Sequence, residues 1–153
     1  MEPKVVVTSE ENNVLNFTMS NIHHSLANSL RRICLSEIPT FVFKTTPYSE
    51  NETDIITNTT RLNNEIIKQR LSCIPIHISD LDFPYQEYVV ELNKENTNNI
   101  IEYVTTADFK IKKLVDNTYL SDRDTKEIFP PNIITGDYVT LSRLKPKLSE
   151  NIQ

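Results

Sequence analysis

Five side chains in this 153-residue sequence are soft metal ligands: His23, His24, His77, Cys34 and Cys73. Adjacent histidines point in different directions on a helix, so His23 and His24 make a poor ligand pair. Cys73 and His77 stand four residues apart across Pro75, with no second ligand pair nearby, and the spacing does not match zinc-type patterns. The sequence therefore predicts no metal and implies no cofactor. Nucleophilic catalysis would need a cysteine or serine beside a histidine and an orienting acid. Cys73 and His77 are the only such candidates, and both sit at a helix end in an apolar run, where packing is the favoured role. A small thiol- or metal-dependent enzyme built on Cys73 and His77 stays open as the alternative reading. The single glycine excludes a glycine-rich phosphate loop. The carboxylates are scattered, as on a solvated surface. Lys110, Lys112 and Lys113 form a short basic run that reads as a solvated face. No aromatic–basic interleaving suggests single-stranded nucleic acid.

The element with the strongest pattern is an amphipathic helix expected from about Ser20 to Ile38, capped by Ser20 or Asn21 and ended by Pro39. At about 100° per residue, Ile22, Leu26, Leu30, Ile33 and Cys34 fall on one stripe, the predicted core face. Arg31, Arg32 and Leu35 fall opposite. A leucine flanked by arginines on the outer face needs a cover. Two readings stay open: another part of the chain supplies it, or a partner does.

Around this helix the pattern predicts further elements. Lys4 to Thr8 and Val14 to Met19 read as a strand hairpin with a polar turn at Glu10 to Asn13. Thr40 to Lys44 reads as a short strand, and so does Ile55 to Thr57. A second helix runs to about Ser72, capped by Thr60 or Asn63, with Glu65 near its positive end and Pro75 beyond it. Tyr85 to Leu92 and Ile100 to Thr105 read as a second hairpin around a polar loop. One more strand falls within Lys110 to Tyr119. Ser121 to Asp124 is a capping box, with aspartate in place of glutamate, opening a short helix to Phe129. Gly136-Asp137 turns the chain into a strand over Tyr138 to Leu144. The tail from Pro146 reads as frayed. The order argues an α+β fold with antiparallel pairing.

The net charge of −5 argues against nonspecific nucleic-acid binding through bulk charge, and no direct sequence-specific DNA binding is expected. No apolar run reaches membrane-spanning length, so no membrane partner is expected. The N-terminal Met1-Glu2-Pro3-Lys4 has no apolar signal segment. In the reducing compartment this implies, Cys34 and Cys73 are free thiols whose default role is that of a buried small hydrophobe.

Two blocks carry a family resemblance. Asn28-Ser29-Leu30-Arg31-Arg32, followed by Glu37-Ile38-Pro39-Thr40, resembles the first helix of RNA polymerase assembly subunits. That family holds the bacterial alpha subunit, its archaeal counterpart and the third-largest subunit of eukaryotic RNA polymerase II. The second block, Asn58-Thr59-Thr60 through Glu65 to Arg70-Leu71 and Ile74-Pro75, matches the family's order and spacing. A looser match follows at Val104 to Asp108 and from Ile128 to Leu144.

The resemblance implies a noncatalytic subunit of a multisubunit DNA-directed RNA polymerase, a nucleotidyltransferase complex whose active site lies in other subunits. It implies a discontinuous dimerisation domain, residues 1–40 plus 132–153, interrupted by an inserted, mainly antiparallel β domain over 41–131. The family continues further, so the sequence corresponds to an N-terminal portion, with the dimerisation domain incomplete at its C-terminus. The implied partners are a smaller alpha-like subunit, the second-largest catalytic subunit and small assembly subunits. Ile22, Leu26, Leu30 and Ile33 would form the dimerisation core. Arg31, Arg32 and Leu35, with Glu65 and Arg70 of the second helix, would contact the large subunit. The implied location is intracellular, in nucleus or cytoplasm, or in a virion for a viral polymerase. Some relatives carry a cysteine cluster in the inserted domain; Cys73 alone stands there in this sequence.

Overall fold

Val5, Val6 and Val7 favour an extended backbone, and they lie in strand β1, Lys4–Glu11. β1 pairs antiparallel with β2, Val14–Ser20, with a register shift between Val7 and Ser9. The computed structural model describes residues 2–11, 14–146 and 150–153; the expected turn residues Asn12 and Asn13 lie outside them. β1 runs further into the turn than predicted, while β2 starts at Val14 as expected and ends one residue later, at Ser20.

Helix α1, His24–Ser36, starts later than the sequence suggested. Asn21 adopts a left-handed backbone, φ 58°, which ends β2 and cannot begin a helix. His23 takes the cap instead, its Nδ1 accepting from the Ser25 amide. None of the residues in α1 is buried.

The chain divides into two compact units, Met1–Pro39 and Thr40–Gln153. The second unit opens with a segment expected as a strand, Thr40 to Lys44. It forms none, yet Phe43 enters the core and its ring stacks on Phe129 at 6.1 Å. Burial of one aromatic fixes the segment without a ladder. Ile55 to Thr57 likewise forms no strand; the amides of Ile56 and Thr57 donate to the Gln153 carbonyl at 2.8 and 3.2 Å.

Helix α2, Asn64–Ser72, has Asn63 as its cap, the side chain accepting from the Ile66 amide. Glu65 in its first turn and Arg70 in its last both complement the helix dipole. Ile67 is its buried residue. Helix α3, Asp122–Ile128, is capped by Ser121, which accepts from the Asp124 amide; the reciprocal half of the capping box is not formed, since the Asp124 carboxylate accepts from the Ser121 hydroxyl and not from its amide.

The strand partners differ most from expectation. β3, Tyr88–Leu92, follows a short 3-10 turn, Tyr85–Glu87. Its partner is β6, Phe109–Lys113, which also pairs with β7, Thr118–Tyr119. β4, Lys94–Glu95, pairs with β9, Asn151–Ile152. β5, Glu102–Thr105, pairs with β8, Thr140–Leu144. The predicted hairpin between Tyr85 to Leu92 and Ile100 to Thr105 is therefore not formed. The physical reason is burial: Val90 and Leu92 stand opposite Ile111 and Phe109, while Val104 stands opposite Ser142. Each strand is buried against a different neighbour. All of these ladders are antiparallel.

The core of this unit holds Ile67, Ile74, Val104, Phe109, Ile111, Phe129, Leu141, Leu144 and Ile152. Phe109 meets Phe129 edge to face at 5.2 Å. The tail is not frayed where it is described. Ile152 is buried, Glu150 accepts from the Lys145 amide at 2.7 Å, and Gln153 exchanges hydrogen bonds with Thr57. Residues 140–144 and 151–152, which the resemblance groups with residues 1–40, thus contribute strands to the second unit.

Candidate interaction surfaces

The helix α1 presents two faces. Leu26, Leu30 and Ile33 form its apolar stripe, with Ile22 just before it, and they are 50, 41 and 49% exposed. Ile22 is half-buried. On the opposite side, Leu35 is 75% exposed. Arg31 folds back on its own helix, where Nε and Nη2 both donate to Asn28 Oδ1, at 3.2 and 2.9 Å. This fork holds the guanidinium against the helix and lowers the entropy it loses on binding. Arg32 is exposed, and its side chain has no ion-pair partner among the described residues.

In the second unit, Glu65 is exposed on α2. Arg70, in the last turn of the same helix, is exposed too, and its Nη2 donates to the Thr140 carbonyl at 2.8 Å. That bond ties α2 to β8. It places the rest of the guanidinium at the rim of a groove of about 520 Å³, lined also by Arg61, Arg143 and Lys145. No local sequence pattern singles out these three. Arg143 and Tyr103 face each other across the β5–β8 ladder, a pairing set by nonlocal register.

The structure corrects the expectation for the thiols. Cys34 and Cys73 are both exposed and unpaired, not buried packing groups. Cys34 lies on a helix with no buried residue; Cys73 caps the end of α2, where the chain turns toward Pro75 and only Ile74 goes inward. His77 is exposed, its amide donating to the Ile128 carbonyl. Among the described residues no group of three His, Cys, Asp or Glu side chains is placed to hold a metal ion. None of the described helices is long and apolar enough to cross a membrane.

What these surfaces offer is binding: an uncovered amphipathic helix beside arginines, and a basic groove. The sequence identifies the class. Residues 16–133 match the RNA polymerase Rpb3/Rpb11 dimerisation domain, and the chain belongs to that family. Several of its relatives are polymerase subunits. It is 32% identical to subunit rpac1 of DNA-directed RNA polymerases I and III from Dictyostelium discoideum, over 98% of this chain and 45% of the relative. It is 31% identical to DNA-directed RNA polymerase II subunit RPB3 of Schizosaccharomyces pombe, over 54% of this chain and 26% of that protein. It is 32% identical to DNA-directed RNA polymerase subunit Rpo3 of Pyrococcus furiosus, over 48% of this chain and 25% of that protein. The chain spans less than half the length of each of these relatives.

Proposed function

We propose that this chain acts as a noncatalytic assembly subunit of a multisubunit DNA-directed RNA polymerase. It pairs with a smaller alpha-like subunit, and the pair docks the second-largest catalytic subunit. The observation that carries the reading is the apolar stripe of α1. Leu26, Leu30 and Ile33 are about half exposed, on a helix whose length and pattern suit a buried site. Burying such a stripe against a partner is favourable by roughly 25 cal/mol per Å² of apolar area. Ile22, Leu26, Leu30 and Ile33 form the dimerisation core in this reading. Residues 1–40 supply one part of the dimerisation domain, with 132–153 as its second part in the family arrangement and 41–131 as the inserted domain. Arg31, Arg32 and Leu35 face the second-largest subunit, as do Glu65 and Arg70. Arginine suits that role because its planar fork pairs with carboxylates and carbonyls at an interface. Small assembly subunits of the polymerase are further companions. The chain works inside the cell, in the compartment of its polymerase.

The test is co-expression with the smaller alpha-like subunit and the second-largest subunit from the same source, followed by affinity capture. Leu26→Asp and Leu30→Asp should abolish capture of the smaller subunit, since each puts a charge into the buried stripe. Leu35→Asp and Arg32→Ala should leave that pairing intact and weaken capture of the large subunit. Truncating a central interface arginine costs on the order of 2 kcal/mol. Unchanged capture of both partners by all four variants would refute α1 as the assembly element.

A further inference from the structure

The groove between α2 and the β5–β8 pair collects cations in an acidic chain. Arg61, Arg70, Arg143 and Lys145 all line it, and no aspartate or glutamate does, although the chain carries a net charge of −5. Two of the four are partly committed. Arg70 donates to the Thr140 carbonyl, and Lys145 lies 3.5 Å from Glu150. Arg61 and Arg143 are exposed and make no side-chain hydrogen bond or ion pair to any described residue. Like charges sharing one concave site repel, and an anion between them removes that repulsion. Apart from Thr140 and Ser142, the remainder of the lining is apolar or aromatic, notably Leu62, Ile101 and Tyr103.

We infer that this groove docks an acidic segment of a partner protein, with carboxylates on Arg61 and Arg143 and an apolar side chain between them. The mixed lining decides the class of partner. A nucleic acid strand would need a continuous basic track and stacking platforms. Here Tyr103 is the one aromatic side chain in the lining, and the chain as a whole repels phosphate backbones. Carboxylates paired to arginine, with leucine- or isoleucine-sized groups on an apolar floor, match what is present. The inference stands on the groove alone and holds whichever protein supplies the segment.

The experiment is fluorescence anisotropy on the full chain. The probe is a short fluorescein-labelled peptide of alternating glutamate and leucine; the controls are the same peptide with lysine for glutamate, and single-stranded oligodeoxythymidine. The glutamate peptide should bind, more weakly as salt rises, and the lysine peptide should not. Arg61→Glu combined with Arg143→Glu should weaken binding at least about tenfold. The milder pair Arg61→Gln and Arg143→Gln should do so in part, with an unchanged thermal melt. No binding by the unaltered chain, equal binding by the double variants, or tighter binding of the oligonucleotide would each overturn the inference. Capture of the polymerase subunits is read separately, so loss of one result leaves the other standing.

Discussion

The side-chain amide of Asn96 donates to the Leu144 carbonyl oxygen at 3.1 Å, joining the segment after β3 to the end of β8 across 48 residues. Asn96 is fully buried. The same Nδ2 donates to the carbonyls of Ile100 and Lys145, its Oδ1 accepts from the Asn98 amide, and its own amide donates to the Glu150 carbonyl. One side chain thus satisfies backbone groups from two segments separated in sequence. Asn96→Ala leaves the buried Leu144 carbonyl without this donor, at a cost of about 1–3 kcal/mol for a group truly stranded. The expected result is a clear fall in melting temperature for Asn96→Ala, with Asn98→Ala close to the unaltered chain. Equal melts for the two would show that the clasp carries no stability.

Asn96 also marks where the sequence stops being legible. Within Asn93 to Asn99 it looks like one more polar loop residue, because local pattern says nothing of a carbonyl 48 positions away. Signals that act within a few residues are readable. Asn63 before α2 and Ser121 before α3 sit where caps belong, and Pro75 lies just past the end of α2. The amphipathic period of α1 is readable, but not that its stripe has no buried residue. Strand partners are misread for the same reason as Asn96. Tyr88–Leu92 and Glu102–Thr105 are hairpin-spaced in sequence, yet side-chain burial pairs them with Phe109–Lys113 and Thr140–Leu144. The basic groove follows from that nonlocal register, so Arg61 and Arg143 carry no local signal.

Thr106 gives a prediction of opposite sign. It is buried, its amide donates to the Val139 carbonyl, and its Oγ1 has no hydrogen-bond partner among the described residues. A desolvated hydroxyl without a partner is a net cost. Thr106→Val keeps the shape and the amide bond while removing the oxygen. It should raise stability by up to about 1 kcal/mol, read as a rise in the denaturation midpoint at constant slope. A loss of more than about 1 kcal/mol would mean that the hydroxyl is satisfied in solution, by water or by a shifted acceptor.

On the β3–β6–β7 sheet, Tyr119 Oη donates to Glu91 Oε2 at 2.7 Å, and Lys112 lies 3.6 Å from the other carboxylate oxygen. The Tyr119 hydrogen bond foremost, with the Lys112 charge adding, holds Glu91 below the usual carboxylate range. Glu91 in turn raises the Tyr119 phenol above its ordinary range. A lowered carboxylate contributes stability above its unfolded pKa and loses it as pH falls through the folded value. A raised phenol contributes below its unfolded pKa and loses it as pH rises through the folded value. The pair therefore supports the sheet across neutral pH and lets go at both ends. In Tyr119→Phe, the Glu91 carboxyl followed by NMR should titrate at higher pH than in the unaltered chain. No change in its titration would remove the phenol as the cause.

The thiols report on the proposed assembly without any substitution. Cys34 and Cys73 are both exposed, so both should be accessible to an aromatic disulfide reagent in the native chain. Cys34 lies beside the apolar stripe of α1, one residue after Ile33, while Cys73 caps α2. If the stripe is the dimerisation core, the smaller alpha-like subunit should protect Cys34 strongly and leave Cys73 reactive. The measurement is time-resolved labelling with mass analysis of each thiol, with and without the partner. Protection of Cys73 with Cys34 still open would move the dimer contact from α1 to α2. Equal reactivity of both in a complex that demonstrably forms would place the contact on neither helix.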